Sequence, residues 1–407
     1  MNPSLPFLRR AILWSICSFC LCLPLSIAGA NISWGLLLAG LLAYRAAGGA
    51  VAFRAHRSIL EWPLIVYLVV AVLAAALGVA PSNSFCHMHQ DVHKLWFYVL
   101  FSVALATEPA AKAILAMAAG FSVACAIGLL QIPWGYLMSP EWPRARAFMH
   151  PVTFGEQVCI AALGAVCFLA KPPAFFKGQN ARLLTWTFLA LTLAALFLSQ
   201  TRGAILSLLA GLTAVASLAP KLRRFVLVAL LAVAANWVFV GTFRYDLSLK
   251  NQAREWVALE SSAAASDRFV RLSLWKVAWR MGKDHPWTGV GPNNYRAVLP
   301  QYLQTTFEDL SDSWGTAHNL FLHHFAERGL LGLGAVLLFL GAFWSRALQR
   351  VRERPNAWNL WAYGVASAFP IMNLTEVALQ VETVWMLVFF IWLWAEALHR
   401  RTAEGIL

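Results

Sequence analysis

His318 closes a polar stretch, WGTAHNLFLHHFAERGLLG, where the chain turns apolar again. Histidine is the side chain suited to taking up a proton near neutral pH, so His318, followed by Asn319, is the candidate general base. A satisfied interfacial histidine is the bland alternative. His323 and His324 lie further into the apolar run and read as packing or as groups that orient His318. Upstream, Arg268 and Arg271 fall three residues apart on one helical face, with Trp275 one turn on. Two guanidinium forks beside an aromatic ring can grip a diphosphate, although a salt bridge to Asp267, Glu255 or Glu260 would also account for them. Arg202 sits in SQTRGA, a tight corner between two apolar helices, with Gly203 opening the second. It reads either as an anion contact at a helix start or as a cation snorkelling to headgroups. Arg144 and Arg146 in PRARAFMHP allow the same two readings, and His150 reads as a structural residue at a helix entrance.

Other chemistries leave weaker traces. No G-x-S-x-G, P-loop, D-x-D or carboxylate pair stands out among these residues, which points to a reaction whose donor is already activated. His87, His89 and His93 in HMHQDVH have partial zinc-ligand spacing, and Cys17, Cys20 and Cys22 lie in an apolar run without polar company. Neither group predicts a metal site. Seven cysteines suggest no disulfide framework.

The elements that must position these groups are membrane helices. The chain has 407 residues, of which 60% are hydrophobic and 13% charged, with a net charge of +13. That charge fraction is about half that of a soluble domain, so the fold expected is an all-α polytopic membrane protein. Runs of roughly spanning length fall at 9–28, 31–46, 59–79, 94–107, 110–132, 155–170, 182–199, 203–219, 224–241, 318–345, 358–374 and 380–398. This predicts about twelve spans: nine in residues 1–241, a long outer loop at 242–317, and three spans with a short tail in 318–407. Arg9 and Arg10 before the first run resemble a signal-peptide start, but an uncleaved first span fits the topology better. Arg45, Arg54 and Arg57, then Lys171, Lys177 and Arg182, then Lys221, Arg223 and Arg224, then RALQRVRERP, then Arg400 and Arg401 fall in alternate connections, on the same side as Arg9 and Arg10. The positive-inside rule puts them, and both termini, in the cytoplasm. In the outer loop, residues 266–284 read as an amphipathic helix whose apolar stripe runs through Phe269, Leu272, Trp275 and Trp279, closed by HPWTGVGPNNY. Glu327 and Arg328 read as a pair that neutralises itself.

Taken together, SQTRGA, RLSLWKVAW, DHPWTGVGPNNY and AHNLFLHHFAERGLLG resemble the O-antigen ligase/O-antigen polymerase family of bacterial inner membranes. The motifs concentrate in residues 199–332. The resemblance implies transfer of a glycan from undecaprenyl pyrophosphate to lipid A-core at the periplasmic face, with no metal, nucleotide or other cofactor and no nucleic acid partner. By motif, it implies that Arg202 and Arg271 hold the pyrophosphate and His318 activates the acceptor hydroxyl, with Asn319 and Trp275 in support. Arg328 stands where such chains often carry a small or polar residue. Arg144 and Arg146 align loosely, so either could be the contact. Rival readings are a polymerase, an O-linked oligosaccharyltransferase using the same donor, and a transporter.

Overall fold

The computed structural model describes residues 4–51, 60–138, 144–227, 230–231, 267–303 and 314–403. The helices are α1 (Leu5–Cys22), α2 (Ile27–Ala46), α3 (Glu61–Leu77), α4 (Pro81–Cys86), α5 (His89–Thr107), α6 (Ala113–Met138), α7 (Pro151–Ala170), α8 (Gln179–Ser199) and α9 (Arg202–Leu218). They continue with α10 (Asp267–Asp284), α11 (Tyr295–Tyr302), α12 (Leu320–Glu353), α13 (Ala357–Met372) and α14 (Glu382–Ala403). Among the described residues there is no strand. Seven of these helices are long and apolar enough to cross a membrane, and α3 and α9 are shorter apolar helices. Each expected span falls on a helix except 224–241, most of which lies outside the described residues, as do Arg54, Arg57, Glu255 and Glu260.

Two helices form the centre. α7 and α14 are enclosed on nearly all sides, whereas α1, α2 and α8 turn most of their surface outward. α13 packs on α7, α9, α12 and α14, and α5 packs on α14. Helix boundaries follow local chemistry. Pro151 starts α7, where its missing N–H costs nothing. Asn319 caps α12, its Oδ1 accepting from Phe321 N and Leu322 N at 3.0 Å each.

α12 is not a simple span. Gly329 breaks it, with φ 60° and ψ −158°. The break turns Leu330 N and Leu331 N to partners outside the helix. Those N–H groups donate to Pro286 O (2.7 Å) and Trp287 O (3.3 Å). The carbonyls of Ala326 and Glu327 accept from Val290 N and Gly291 N, both at 2.9 Å. The HPWTGVG segment is thus docked on α12 backbone to backbone, and a Cβ at Gly289 or Gly329 would collide with main chain. The glycines of that motif serve close approach. Asn294 extends the clamp, its Nδ2 donating to Val290 O (2.9 Å) and to Ser84 Oγ (3.1 Å) beside α4.

The clamp seats α10, whose apolar stripe differs from expectation. Leu274, Val277, Ala278 and Met281 are buried, while Leu272 and Trp279 are exposed, and the side chain of Phe269 lies outside the described residues. The sequence carries apolar residues on both faces. Contact with α12 and Tyr295 selects one, leaving the other outward, as suits an amphipathic helix against a bilayer.

The Glu327–Arg328 pair is also corrected. Arg328 Nη2 donates to Asp91 Oδ2 of α5 at 2.7 Å, and its Nη1 to Tyr67 Oη of α3 at 2.7 Å. Lys94 Nζ lies 3.2 Å from Asp91. Glu327 accepts instead from Tyr295 N at 3.2 Å and lies 3.5 Å from His323. His324 joins the Arg328 group, so neither histidine orients His318. Carboxylates from other elements displaced the sequence neighbour because the buried Arg328 needs a partner its own helix cannot aim at it.

Gly329→Ala should lower the unfolding midpoint in detergent, since a positive φ with ψ −158° is a conformation essentially confined to glycine and costs about 1–3 kcal/mol for a residue with a Cβ, before the clash is counted. Gly334→Ala, where a Cβ meets nothing within 4 Å, should leave the midpoint level or raise it.

Candidate active site

The site is assembled at the helix ends where the chain turns between α8 and α9 and between α13 and α14. Gln200 takes a left-handed conformation, φ 54°, and makes the SQTRGA corner tight. Thr201 Oγ1 donates to Pro151 O at 3.1 Å, tying the corner to the start of α7. A Cβ at Gly203 would meet Thr375 Oγ1, so the corner lies directly on the α13–α14 turn. Arg202 is exposed at this rim.

That turn supplies the residue sequence reading missed. Glu376 Oε2 lies 2.8 Å from His318 Nδ1, and Glu376 Oε1 accepts from Arg271 Nη2 at 3.0 Å. Arg271 Nη1 also donates to Thr375 O at 3.3 Å. One carboxylate therefore joins α10, the start of α12 and the α13–α14 turn. The one trace in the sequence is that Glu376 is the sole acid in the connection 375–379, and nothing there points to its partners. Among the described residues the ion-pair partner of Arg271 is Glu376; Glu255, Glu260 and the side chain of Asp267 lie outside them.

Asn319 builds the turn as well as the helix cap. Its Nδ2 donates to Leu374 O at 3.0 Å, and Leu320 N donates to Asn373 O at 2.9 Å. His318 itself has φ 47° and packs edge-on against Trp314 with ring centroids 5.0 Å apart. A non-glycine residue in this conformation at a membrane edge is strained, and strain held by surrounding bonds is common at working sites. An ionised carboxylate can only accept, so Nδ1 of His318 carries the proton towards Glu376 and Nε2 presents the lone pair.

The two arginines of the PRAR segment separate. Arg144 Nε donates to Ser199 O at 2.8 Å and its Nη2 lies 3.4 Å from Thr201 Oγ1, so it braces the corner. Arg146 is exposed. His150 caps α7, its Nδ1 accepting from Val152 N at 3.4 Å. Partial burial, with Arg144 next in weight, holds His150 below its ordinary value, while Glu376 acts the other way and His318 with Arg144. His150 is therefore neutral near pH 7 and stands within the field of the same cluster. Trp275 follows Arg271 on α10, and its Nε1 has no partner among the described residues. The side chain of Arg268 lies outside the described residues. Glu156, one turn into α7, is buried with neither oxygen hydrogen-bonded among the described residues.

The histidines of HMHQDVH do not converge. His87 and His89 bond main-chain carbonyls of their own turn, and His93 lies 3.5 Å from Glu382. Among the described residues no three His, Cys, Asp or Glu side chains come together as a metal group.

A base held by a carboxylate and several cations at one membrane edge is suited to removing a hydroxyl proton beside a departing anion. Residues 187–337 match the family model described as O-antigen ligase. That match supports membership of the O-antigen ligase/polymerase superfamily. The matched stretch holds Arg202, Arg271 and His318, while Glu376, Arg144 and Arg146 lie outside it. Comparison with curated protein sequences finds no match. With its apolar helices, the family identifies a membrane protein of ligase or polymerase type, acting on a lipid-linked glycan.

Glu376→Gln should keep the fold yet lower turnover by about 10²-fold or more, because an amide does not hold the imidazole tautomer as a carboxylate does. Arg146→Ala should raise KM for the lipid-linked donor with an unchanged unfolding midpoint. Arg144→Ala should lower that midpoint, because it leaves Ser199 O with only the longer, 3.4 Å bond from Thr201 Oγ1.

Proposed function

We propose that the protein is an O-antigen ligase, transferring glycan from undecaprenyl pyrophosphate to a hydroxyl of lipid A-core at the periplasmic face of the inner membrane. The observation that carries this reading is the shared carboxylate: Glu376 between His318 at 2.8 Å and Arg271 at 3.0 Å. His318 Nε2 takes the acceptor hydroxyl proton while the acceptor oxygen attacks the anomeric carbon. The bond from that carbon to phosphate breaks, and the pyrophosphate leaves with the electron pair. Attack opposite the leaving group inverts the anomeric centre. Arg202, Arg271 and Arg146, with Arg268 on the same helix as Arg271, stabilise the charge developing on the leaving group. No metal is needed for either task.

The pair also supports coupling between donor and base. Without donor, Glu376 divides its charge between Arg271 and His318. A pyrophosphate competing for Arg271 leaves the carboxylate to orient the imidazole alone. The protein would then be readied for the acceptor only when the donor is seated.

Orientation follows from charge. Arg45 ends α2, Lys171 and Lys177 lie between α7 and α8, and Arg350 and Arg352 fall in the last turn of α12, at helix ends opposite the site. By the positive-inside rule that end faces the cytoplasm and the site faces the periplasm.

Purified protein reconstituted with undecaprenyl-pyrophosphate glycan and lipid A-core, with EDTA present, should form lipid A-core glycan, and His318→Ala and His318→Gln should not. Arg271→Ala should lose more activity than Arg271→Lys, because the planar fork is lost along with the charge. Longer lipid-linked chains from donor alone would identify a polymerase instead, and a glycosylated acceptor protein an oligosaccharyltransferase. Normal turnover in His318→Gln would remove His318 as the base.

A further inference from the structure

A cavity of about 220 Å³ lies between α6, α7 and α8, at the end of these helices remote from the active site. Its floor is Phe121, Phe168, Phe188 and Trp361. The polar groups in its wall are already satisfied. Thr185 Oγ1 donates to Ala181 O at 2.7 Å, Ser122 Oγ to Ala118 O at 2.8 Å, and Trp361 Nε1 to Ile160 O at 2.8 Å. The space thus offers nothing to hold water, and an apolar cavity of this kind takes hydrocarbon. Leu115 and Leu184 line it and are 49% and 63% exposed, so it opens sideways between α6 and α8 to the bilayer.

A second cavity, of about 360 Å³, adjoins it and shares Phe168, Phe176 and Thr185. This one is partly polar, and Lys177 and Arg182 line it. Both cations are exposed, and neither has an ion-pair partner among the described residues. An apolar slot opening to lipid thus runs into a chamber with two unmatched cations at the membrane surface. α7 separates this place from the catalytic histidine by its own length of 20 residues, about 30 Å at 1.5 Å per residue.

We propose that these two cavities form a binding site for an anionic phospholipid of the leaflet opposite the active site, with one acyl chain between α6 and α8 and the phosphate against Lys177 and Arg182. Charge complementarity selects the occupant, because a zwitterionic lipid brings its own cation to a chamber that already holds two. The positive-inside rule explains why basic residues lie at this surface. It does not explain why two of them line a chamber continuous with a dry slot. Bound lipid would fill the gap among α6, α7 and α8 and brace the outer wall of α7, whose other end carries the site.

The test is native mass spectrometry of the full chain, stripped in detergent and titrated with phosphatidylglycerol or phosphatidylcholine. Wild type should hold one phosphatidylglycerol about tenfold or more tighter than phosphatidylcholine. Lys177→Ala with Arg182→Ala should abolish that preference, and Ala118→Leu, which fills the slot and leaves the charges, should weaken retention of both lipids. Arg223→Ala with Arg352→Ala removes the same charge from the same surface away from the chamber and should bind as wild type. Retention unchanged in both the Lys177/Arg182 and Ala118 variants would overturn the proposal. So would an equal loss in the Arg223/Arg352 variant, which would mean diffuse attraction to the surface.

Discussion

At Gly329 the backbone of α12 makes four hydrogen bonds to another segment, and the placement of the candidate site depends on them. A continuous α12 would bury its main-chain groups within itself and offer α10 only side chains to lean on. The break exposes two carbonyls and two N–H groups in a part of the molecule where unpaired groups are costly. The Pro286–Gly291 segment satisfies all four, and in doing so fixes the end of α10 against α12 at main-chain precision. Arg271 projects from the start of that helix and reaches the α13–α14 turn. The buried Asp91–Arg328 pair adjoins the break and ties α5 to α12. Such a pair is weak evidence of net stability but strongly opposes separation of its elements, since breaking one costs about 3–5 kcal/mol.

Against this frame, Glu376 does two things at once. It neutralises part of a cluster of cations that would repel one another at a low-dielectric edge, and it fixes the imidazole tautomer. Both follow from a carboxylate with two oxygens directed to different partners. The cations keep unspent donors: Arg202 and Arg146 are exposed, and Arg271 uses two of its five N–H groups. The cluster is balanced well enough to fold without donor and remains cationic enough to receive one.

Much of the fold was legible because lipid is a uniform solvent. Apolar runs report exposure to it directly, so α1, α2, α6, α8 and α13 could be read from hydropathy alone. α10 was legible as a helix but not in its facing, since Leu272 and Trp279 are as apolar as the stripe that is buried. Arg202, Arg271 and His318 stood out by type and position, and the structure brings all three to the α13–α14 turn. Glu376 did not, because its role depends on a turn brought against residue 318 from 58 positions away. The pairing of Arg328 was hidden for the same reason: Glu327 is its neighbour in sequence, but Asp91 is 237 positions distant and is the partner in space.

The arrangement of buried charge supports a reading as a surface catalyst over passage through the bilayer. Asp91, Lys94, Glu156, Glu327 and Arg328 are buried towards the active-site end, and Arg350 and Glu396 towards the other. Between them the two central helices are apolar: Val158 to Phe168 in α7, and Val384 to Ala395 in α14, contain no ionisable group other than two cysteines. A solute or ion crossing among these helices would meet no compensating charge near the midplane, where transport sites are built. A lipid-linked glycan needs no such path. In the proposed reaction its carrier remains in hydrocarbon, its pyrophosphate lies at the surface beside the arginines, and its sugars remain in water. The chemistry needs only an edge, and an edge is where this fold collects its free cations and its base.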